Sequence, residues 1–148
     1  PAAIQRGITV ACGNKKTSRV QRDICHRLLK AVGEVEWVQD EGLIDAVTAL
    51  SGGGPAYVFF LVEVMAKAGM ASGLPEGLSE RLARLTVAGA GELLHRSVEP
   101  ASKLRENVTS PGGTTAEALK ILMEGDAWQP LMDLAIAKAT ARSKELKG

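Results

Sequence analysis

Apolar positions recur with two different periods along this chain. Near the N-terminus, Ile8-Thr9-Val10-Ala11 is a short apolar run with β-branched members, bounded by Gly7 and Gly13. Val35-Glu36-Trp37-Val38 alternates with period two. Both patterns predict strands. Between them Val20, Ile24, Leu28 and Val32 share one face at helical spacing. Ser18-Arg19-Val20-Gln21 fits a capping box, with the serine at the N-cap and Gln21 reaching back, and Gly33 is expected to close the helix. Strand, helix, strand is a parallel βαβ unit, and a lone one cannot cover both of its faces. The pattern therefore requires more sheet than this sequence supplies.

From Glu41 onward the period is helical. Leu43, Val47 and Leu50 share a face, Gly52-Gly53-Gly54 interrupts, and Pro55 suits the first position of a new helix. That helix, Pro55 to about Met70, is apolar nearly all round, as expected for the middle of a bundle or a subunit interface. Glu63 and Lys67 have the spacing of a favourable i,i+4 pair. Gly73-Leu74-Pro75 predicts a stop and a fresh start. The next helix carries Leu78, Leu82, Leu85 and Leu93, with the small residues Ala88 to Gly91 suited to close packing. A short helix is predicted from Pro100 through Leu104, and another follows Thr115 through Ala118, Leu119 and Leu122 to a stop at Gly125. Asp126 with Gln129 resembles a second capping box. The last helix places Leu131, Ala135 and Ala139 inward and ends among Arg142, Lys144 and Lys147, which suit a helix C-terminus.

Composition narrows the partners. With 18 Lys and Arg against 17 Asp and Glu, the net charge is +1 and no basic stripe forms, so neither nucleic acid nor an acidic membrane surface is an expected partner. Aromatic residues are 3% of the chain, too few for base-stacking surfaces. Cys12 and Cys25 lack any CxxC spacing; they read as free thiols of a reducing cytoplasm, with one disulfide as the alternative. The apolar stretch 56–70 contains Glu63 and Lys67, so it is expected to be a buried helix rather than a membrane span. Pro1-Ala2-Ala3 is no translation start; processing or a fragment of a longer protein would explain it, and the fragment is the expected reason.

Conventional catalytic constellations are absent from the sequence: no HExxH, no Cys/His metal spacing and no GxSxG, so no metal site is expected. His26 and His95 lie on helices without a positioned acid or nucleophile and read as ordinary helix positions. Gly52-Gly53-Gly54-Pro55 follows a helix and lacks the lysine of a phosphate loop; close crossing of two helices explains it better. Ser110-Pro111-Gly112-Gly113-Thr114-Thr115 differs. Two glycines free the backbone to aim its N–H groups at one point, and a helix starts immediately afterwards. Converging amides at a helix N-terminus form an anion site, to which Ser110, Thr114 and Thr115 add hydroxyl donors. A plain turn capped by Thr114 or Thr115 accounts for the same residues equally well.

Two stretches carry a family resemblance. Asp45-Ala46-Val47-Thr48-Ala49-Leu50-Ser51-Gly52-Gly53-Gly54-Pro55-Ala56-Tyr57 resembles the D-A-V-T-A-L-S-G-S-G-P-A-Y of pyrroline-5-carboxylate reductases, with Gly53 in place of the usual serine. Val108-Thr109-Ser110-Pro111-Gly112-Gly113-Thr114-Thr115 matches that family's V-T-S-P-G-G-T-T. The likeness runs through nearly the whole chain, with Pro100 one place before the family's common proline.

The resemblance implies a mainly α fold. Residues 1–40 would be the last βαβ unit of a Rossmann-type dinucleotide-binding domain, and 41–148 an all-helical domain for dimerisation and substrate binding. It implies reduction of 1-pyrroline-5-carboxylate to L-proline, with hydride passing from the nicotinamide of NADPH or NADH to C5 of the cyclic imine. The G-x-G-x-x-G fingerprint is not in this sequence, so the resemblance implies that most of the cofactor site lies in a domain outside it and that the chain alone is inactive. It further implies that Ser110, Gly112, Gly113 and Thr114 grip the substrate carboxylate, that Thr115 faces the ring nitrogen, and that the chain pairs with itself as a homodimer or larger assembly. The competing expectations are a non-catalytic assembly module, a related reductase, or an inactive relative.

Overall fold

The computed structural model describes residues 1–147, the side chain of Asp126 excepted. Strand β1 (Gly7–Cys12), helix α1 (Arg19–Lys30) and strand β2 (Gly33–Val38) form the predicted βαβ unit, after a 3-10 turn at Ala2–Ile4. The strands pair in parallel, from Gly7 against Gly33 to Cys12 against Val38. Gly33 has φ 147 and lies so close to Gly7 that a Cβ on it would run into the Gly7 carbonyl. The register therefore begins glycine on glycine, which only a residue without a side chain permits.

The capping box forms as read. Ser18 Oγ accepts from the Gln21 N–H at 3.3 Å and Gln21 Oε1 from the Ser18 N–H at 2.8 Å. A cap of this kind stabilises a helix start by about 1 kcal/mol. The helix ends at Lys30, with Ala31 as its C-cap, so Gly33 opens β2 rather than closing α1. Arg22 lies over the Trp37 ring, 4.5 Å from its centroid.

A 3-10 turn at Glu41–Leu43 leads into α2 (Ile44–Val47) and then a π-helical turn over Thr48–Gly52. Here the structure departs from expectation. None of Gly52, Gly53 and Gly54 has a positive φ, so the glycines do not bend the chain sharply. The Gly53 N–H reaches the Thr48 carbonyl at 3.0 Å, the wider π spacing, and α3 (Gly54–Ala71) begins one residue before Pro55.

Helix α3 ends in a Schellman motif. The Leu74 N–H bonds to the Gly69 carbonyl and the Gly73 N–H to that of Met70, with Gly73 at φ 96. Pro75 is the N-cap of α4 (Glu76–Arg96). Beyond it come α5 (Ala101–Asn107), α6 (Thr114–Met123), a 3-10 turn at Glu124–Asp126 with Gly125 at φ 57, and α7 (Trp128–Glu145). The capping box read from Asp126 rests on a side chain outside the described residues; Gln129 Nε2 donates to Asp133 Oδ1. The i,i+4 ion pairs formed are Lys30 with Glu34 and Arg96 with Glu92, and none joins Glu63 to Lys67 among the described residues.

Two compact units divide the chain: residues 1–55 together with the stretch from Leu134 onward, and Ala56–Asp133. In the first unit, Val35 and Ala49 are buried apolar residues, and Asp45 is buried with them. In the second, the buried residues are Ala66, Ser79 and Ala83. Ser79 Oγ donates to the Ala66 carbonyl at 2.7 Å, which ties α4 to α3.

The predicted apolar faces exist, but the chain does not bury them itself. Val20, Ile24, Leu28, Leu43, Leu50, Leu78, Leu82, Leu85, Leu93 and Leu131 are all exposed. The expectation of a buried α3 is corrected in the same way: Ala66 is its one buried residue, and Phe59 and Phe60 are 63% and 60% exposed. By length and composition alone, the run Glu41–Ala71 would suffice to cross a membrane.

Candidate functional site

The turn between α5 and α6 is built from both sides. On the α5 side, Thr109 Oγ1 donates to the Arg105 carbonyl at 2.6 Å, and its N–H donates to that of Glu106 at 2.9 Å. On the α6 side, the Gly113 N–H closes back on the Ser110 carbonyl at 3.0 Å. Gly112, between them, has φ 68, a left-handed conformation that costs other residues about 1 kcal/mol or more.

Gly113 is the N-cap of α6 and has no side chain with which to cap it. The alternative of a turn capped by Thr114 or Thr115 is thereby overturned, because both residues already lie inside the helix. The first amide of α6 with a backbone partner is that of Glu117, which donates to the Gly113 carbonyl at 3.2 Å. Among the described residues, the N–H groups of Thr114, Thr115 and Ala116 have no acceptor, and neither do the hydroxyls of Ser110, Thr114 and Thr115. Ser110, Thr114 and Thr115 are exposed. Three adjacent free amides at the positive end of a helix, fringed by three hydroxyls, can hold a carboxylate or phosphate without any cationic side chain. Nearby charge is self-neutralised: Lys120 pairs with Glu117 at 2.5 Å.

The other sequence candidates take structural places. His26 Nδ1 accepts from Trp37 Nε1 at 3.4 Å on the outside of α1, and His95 lies in the last turn of α4. Both cysteines are free thiols. No group of three metal-ligating side chains occurs among the described residues. Two features had no evident sequence signal. One is the buried Asp45, which accepts from Ser143 and Lys147 far along the chain. The other is the Thr109 hydroxyl, turned toward the preceding helix.

Fold and site together define a mainly helical domain rich in uncovered apolar faces, following a parallel βαβ unit, with free amides at the glycine-capped start of α6. Residues 41–146 match the family model for pyrroline-5-carboxylate reductase dimerisation, and the chain belongs to that family. It is 42% identical to the pyrroline-5-carboxylate reductase of Pseudomonas aeruginosa over 147 residues, which cover 99% of this chain and 53% of that protein. It is 38% identical to the Synechocystis enzyme of the same name over 146 residues, covering 99% and 54%. Among solved structures it superposes on a pyrroline-5-carboxylate reductase from Coxiella burnetii with TM-score 0.91 at 36% identity, covering 97% of this chain and 53% of that one. The Plasmodium falciparum pyrroline carboxylate reductase with NADP bound gives 0.83 at 30% identity, covering 100% and 59%. The chain spans about half the length of the curated relatives it matches.

Proposed function

We propose that this chain is the substrate-holding and subunit-pairing part of a pyrroline-5-carboxylate reductase, which reduces 1-pyrroline-5-carboxylate to L-proline in the cytoplasm. The uncapped start of α6 carries the reading: free amides at Thr114, Thr115 and Ala116 beside the Ser110 hydroxyl suit a carboxylate. Ser110, Gly112, Gly113 and Thr114 form the grip on that group, the two glycines by shaping the turn, since the Gly113 N–H is spent on the Ser110 carbonyl, and the Thr115 hydroxyl faces the ring nitrogen. With the substrate's charge fixed, the imine carbon has a defined orientation, which is most of what an already electrophilic centre needs from its protein.

The turn after β1 reads Cys12-Gly13-Asn14-Lys15-Lys16-Thr17-Ser18 and is not a dinucleotide fingerprint, so these residues do not fit the main cradle of a nicotinamide cofactor. NADPH or NADH, as hydride donor, belongs to a domain other than 41–148, and residues 1–40 are the last βαβ unit of that domain. NADP in the Plasmodium relative supports the choice of cofactor class.

A second copy of the chain covers the exposed apolar faces as a homodimer, which can assemble further. Exposed Phe59, Phe60, Leu82 and Leu85 supply the apolar centre that such an interface needs. Glu63 and Lys67 within α3 fit a protein interface better than a lipid one.

The test is turnover of 1-pyrroline-5-carboxylate by the full-length protein and its Thr115→Ala variant. A loss of at least about tenfold, roughly 1.4 kcal/mol, is expected. Unchanged kinetics would remove Thr115 from the site, and an inactive parent protein would leave only the assembly role.

A further inference from the structure

The turn that presents the free amides is held by a residue that does not itself face them. The Thr109 hydroxyl is spent on the Arg105 carbonyl, at 2.6 Å, and its N–H on that of Glu106. Its side chain is half-buried, whereas Val108 and Ser110 on either side are exposed. The Val108 N–H also reaches the Arg105 carbonyl, at a long 3.3 Å.

Helix α5 is only seven residues long, too short to hold itself in water. Side chains tie its ends. Asn107 Nδ2 reaches back to Glu99 Oε2 at 3.2 Å, and the Glu99 N–H donates to Ser97 Oγ at 3.0 Å. Thr109 completes this fastening on the side of the turn. The Ser110 carbonyl follows it directly and fixes Gly113, and Gly113 fixes the start of α6.

From this chain of contacts we infer that Thr109 is a positioning residue: its hydroxyl anchors the entry of the Ser110–Thr115 turn to α5 and so sets the aim of the free amides at the carboxylate. The inference rests on the reading of that turn as the carboxylate grip. Without the hydroxyl, the entry is pinned only by backbone bonds, and an anion must order the turn as it binds. That cost falls on substrate binding rather than on the chemical step.

Thr109→Val keeps the shape and removes the hydroxyl; Thr109→Ser keeps the hydroxyl and removes the methyl group. In the full-length enzyme, KM for 1-pyrroline-5-carboxylate should rise about fivefold or more in the valine variant, with kcat within about twofold, and both constants should stay within about twofold of wild type in the serine variant. KM for the nicotinamide cofactor should be unchanged in both. Wild-type KM in the valine variant, or equal impairment by valine and serine, overturns the inference. If the valine variant does not fold, serine decides alone: retention of wild-type KM supports the anchor, and a tenfold rise overturns it. Thr115→Ala measured in parallel separates the two claims. A large loss there with a silent Thr109→Val sinks only the anchor, whereas silence in both sinks the grip as well.

Discussion

Ser143 donates its Oγ to Asp45 Oδ1 at 2.8 Å, joining α7 to α2 across 98 residues of sequence. The same carboxylate oxygen accepts from Lys147 Nζ at 2.8 Å. The Asp45 side chain is 6% exposed, so the clasp is shielded on the carboxylate side, while Lys147 is half in solvent. It is a long-range polar link within the unit that also carries the βαβ segment.

The clasp sets an acid sensitivity. Hydrogen bonds from Lys147 and then Ser143 hold the Asp45 carboxyl below its ordinary value of 3.8, against the opposing effect of burial. A carboxylate with a lowered folded pKa contributes fully above its unfolded value, and the contribution is lost as pH falls through the folded one. Urea midpoints of the wild type should therefore fall as pH drops below about 4. Asp45→Asn should start lower at neutral pH and lose less over that window. Parallel curves for the two proteins would show that this carboxylate is not responsible. Ser143→Ala removes one donor and should cost about 1 kcal/mol at neutral pH.

The contact between α3 and α4 yields a second expectation. A Cβ on Gly69 would collide with Ser79 Oγ, which is 2% exposed and committed to the Ala66 carbonyl. Gly69→Ala must displace that hydroxyl and orphan a buried polar pair, for a cost of about 2–4 kcal/mol. Adding Ser79→Ala vacates the space, so the double variant should be more stable than Gly69→Ala alone. Additive losses by thermal or denaturant unfolding would place the strain elsewhere.

Assembly should depend on α3. Phe59 and Phe60 are mostly exposed, and full burial of each side chain is worth about 1.5–3 kcal/mol. Replacing both by glutamate in the full-length protein should weaken subunit association at least about hundredfold, because each appears twice in a symmetric dimer. Sedimentation over a dilution series reads this directly. An unchanged molecular mass would mean that another face pairs the subunits.

Local signals in the sequence were faithful, and signals needing a distant partner were not. The capping box at Ser18 and Gln21 and strands β1 and β2 each depend on a few neighbouring residues, and each is where its pattern puts it. Leu78, Leu82 and Leu85 show the right period but not who covers them, since periodicity reports an apolar face and not its occupant. The π-turn at Thr48–Gly52 escaped because its glycines suggest a break, whereas the backbone continues right-handed with one wider hydrogen bond. Asp45 and Ser143 could not be paired from sequence at all, for neither position marks the other. In the candidate site, the glycines forecast the turn correctly. That Thr114 and Thr115 would leave the helix uncapped depended on the cap falling one residue earlier than theirs, a difference finer than boundary signals resolve.

That early cap makes Gly112 the most direct probe of the turn. Its φ of 68 is left-handed, yet a Cβ there would meet nothing within 4 Å, so substitution tests conformation without crowding. Gly112→Ala should cost about 1 kcal/mol in adopting the turn, which is the most that global stability loses by it. The expected loss is in binding: KM for 1-pyrroline-5-carboxylate in the full-length enzyme should rise about fivefold. Asparagine tolerates the left-handed region better than alanine, so Gly112→Asn should recover part of that loss. Wild-type KM in both variants would mean that the turn's shape does not hold the substrate. Equal weakening in both would mean that any side chain at this position, rather than a strained backbone, obstructs the carboxylate.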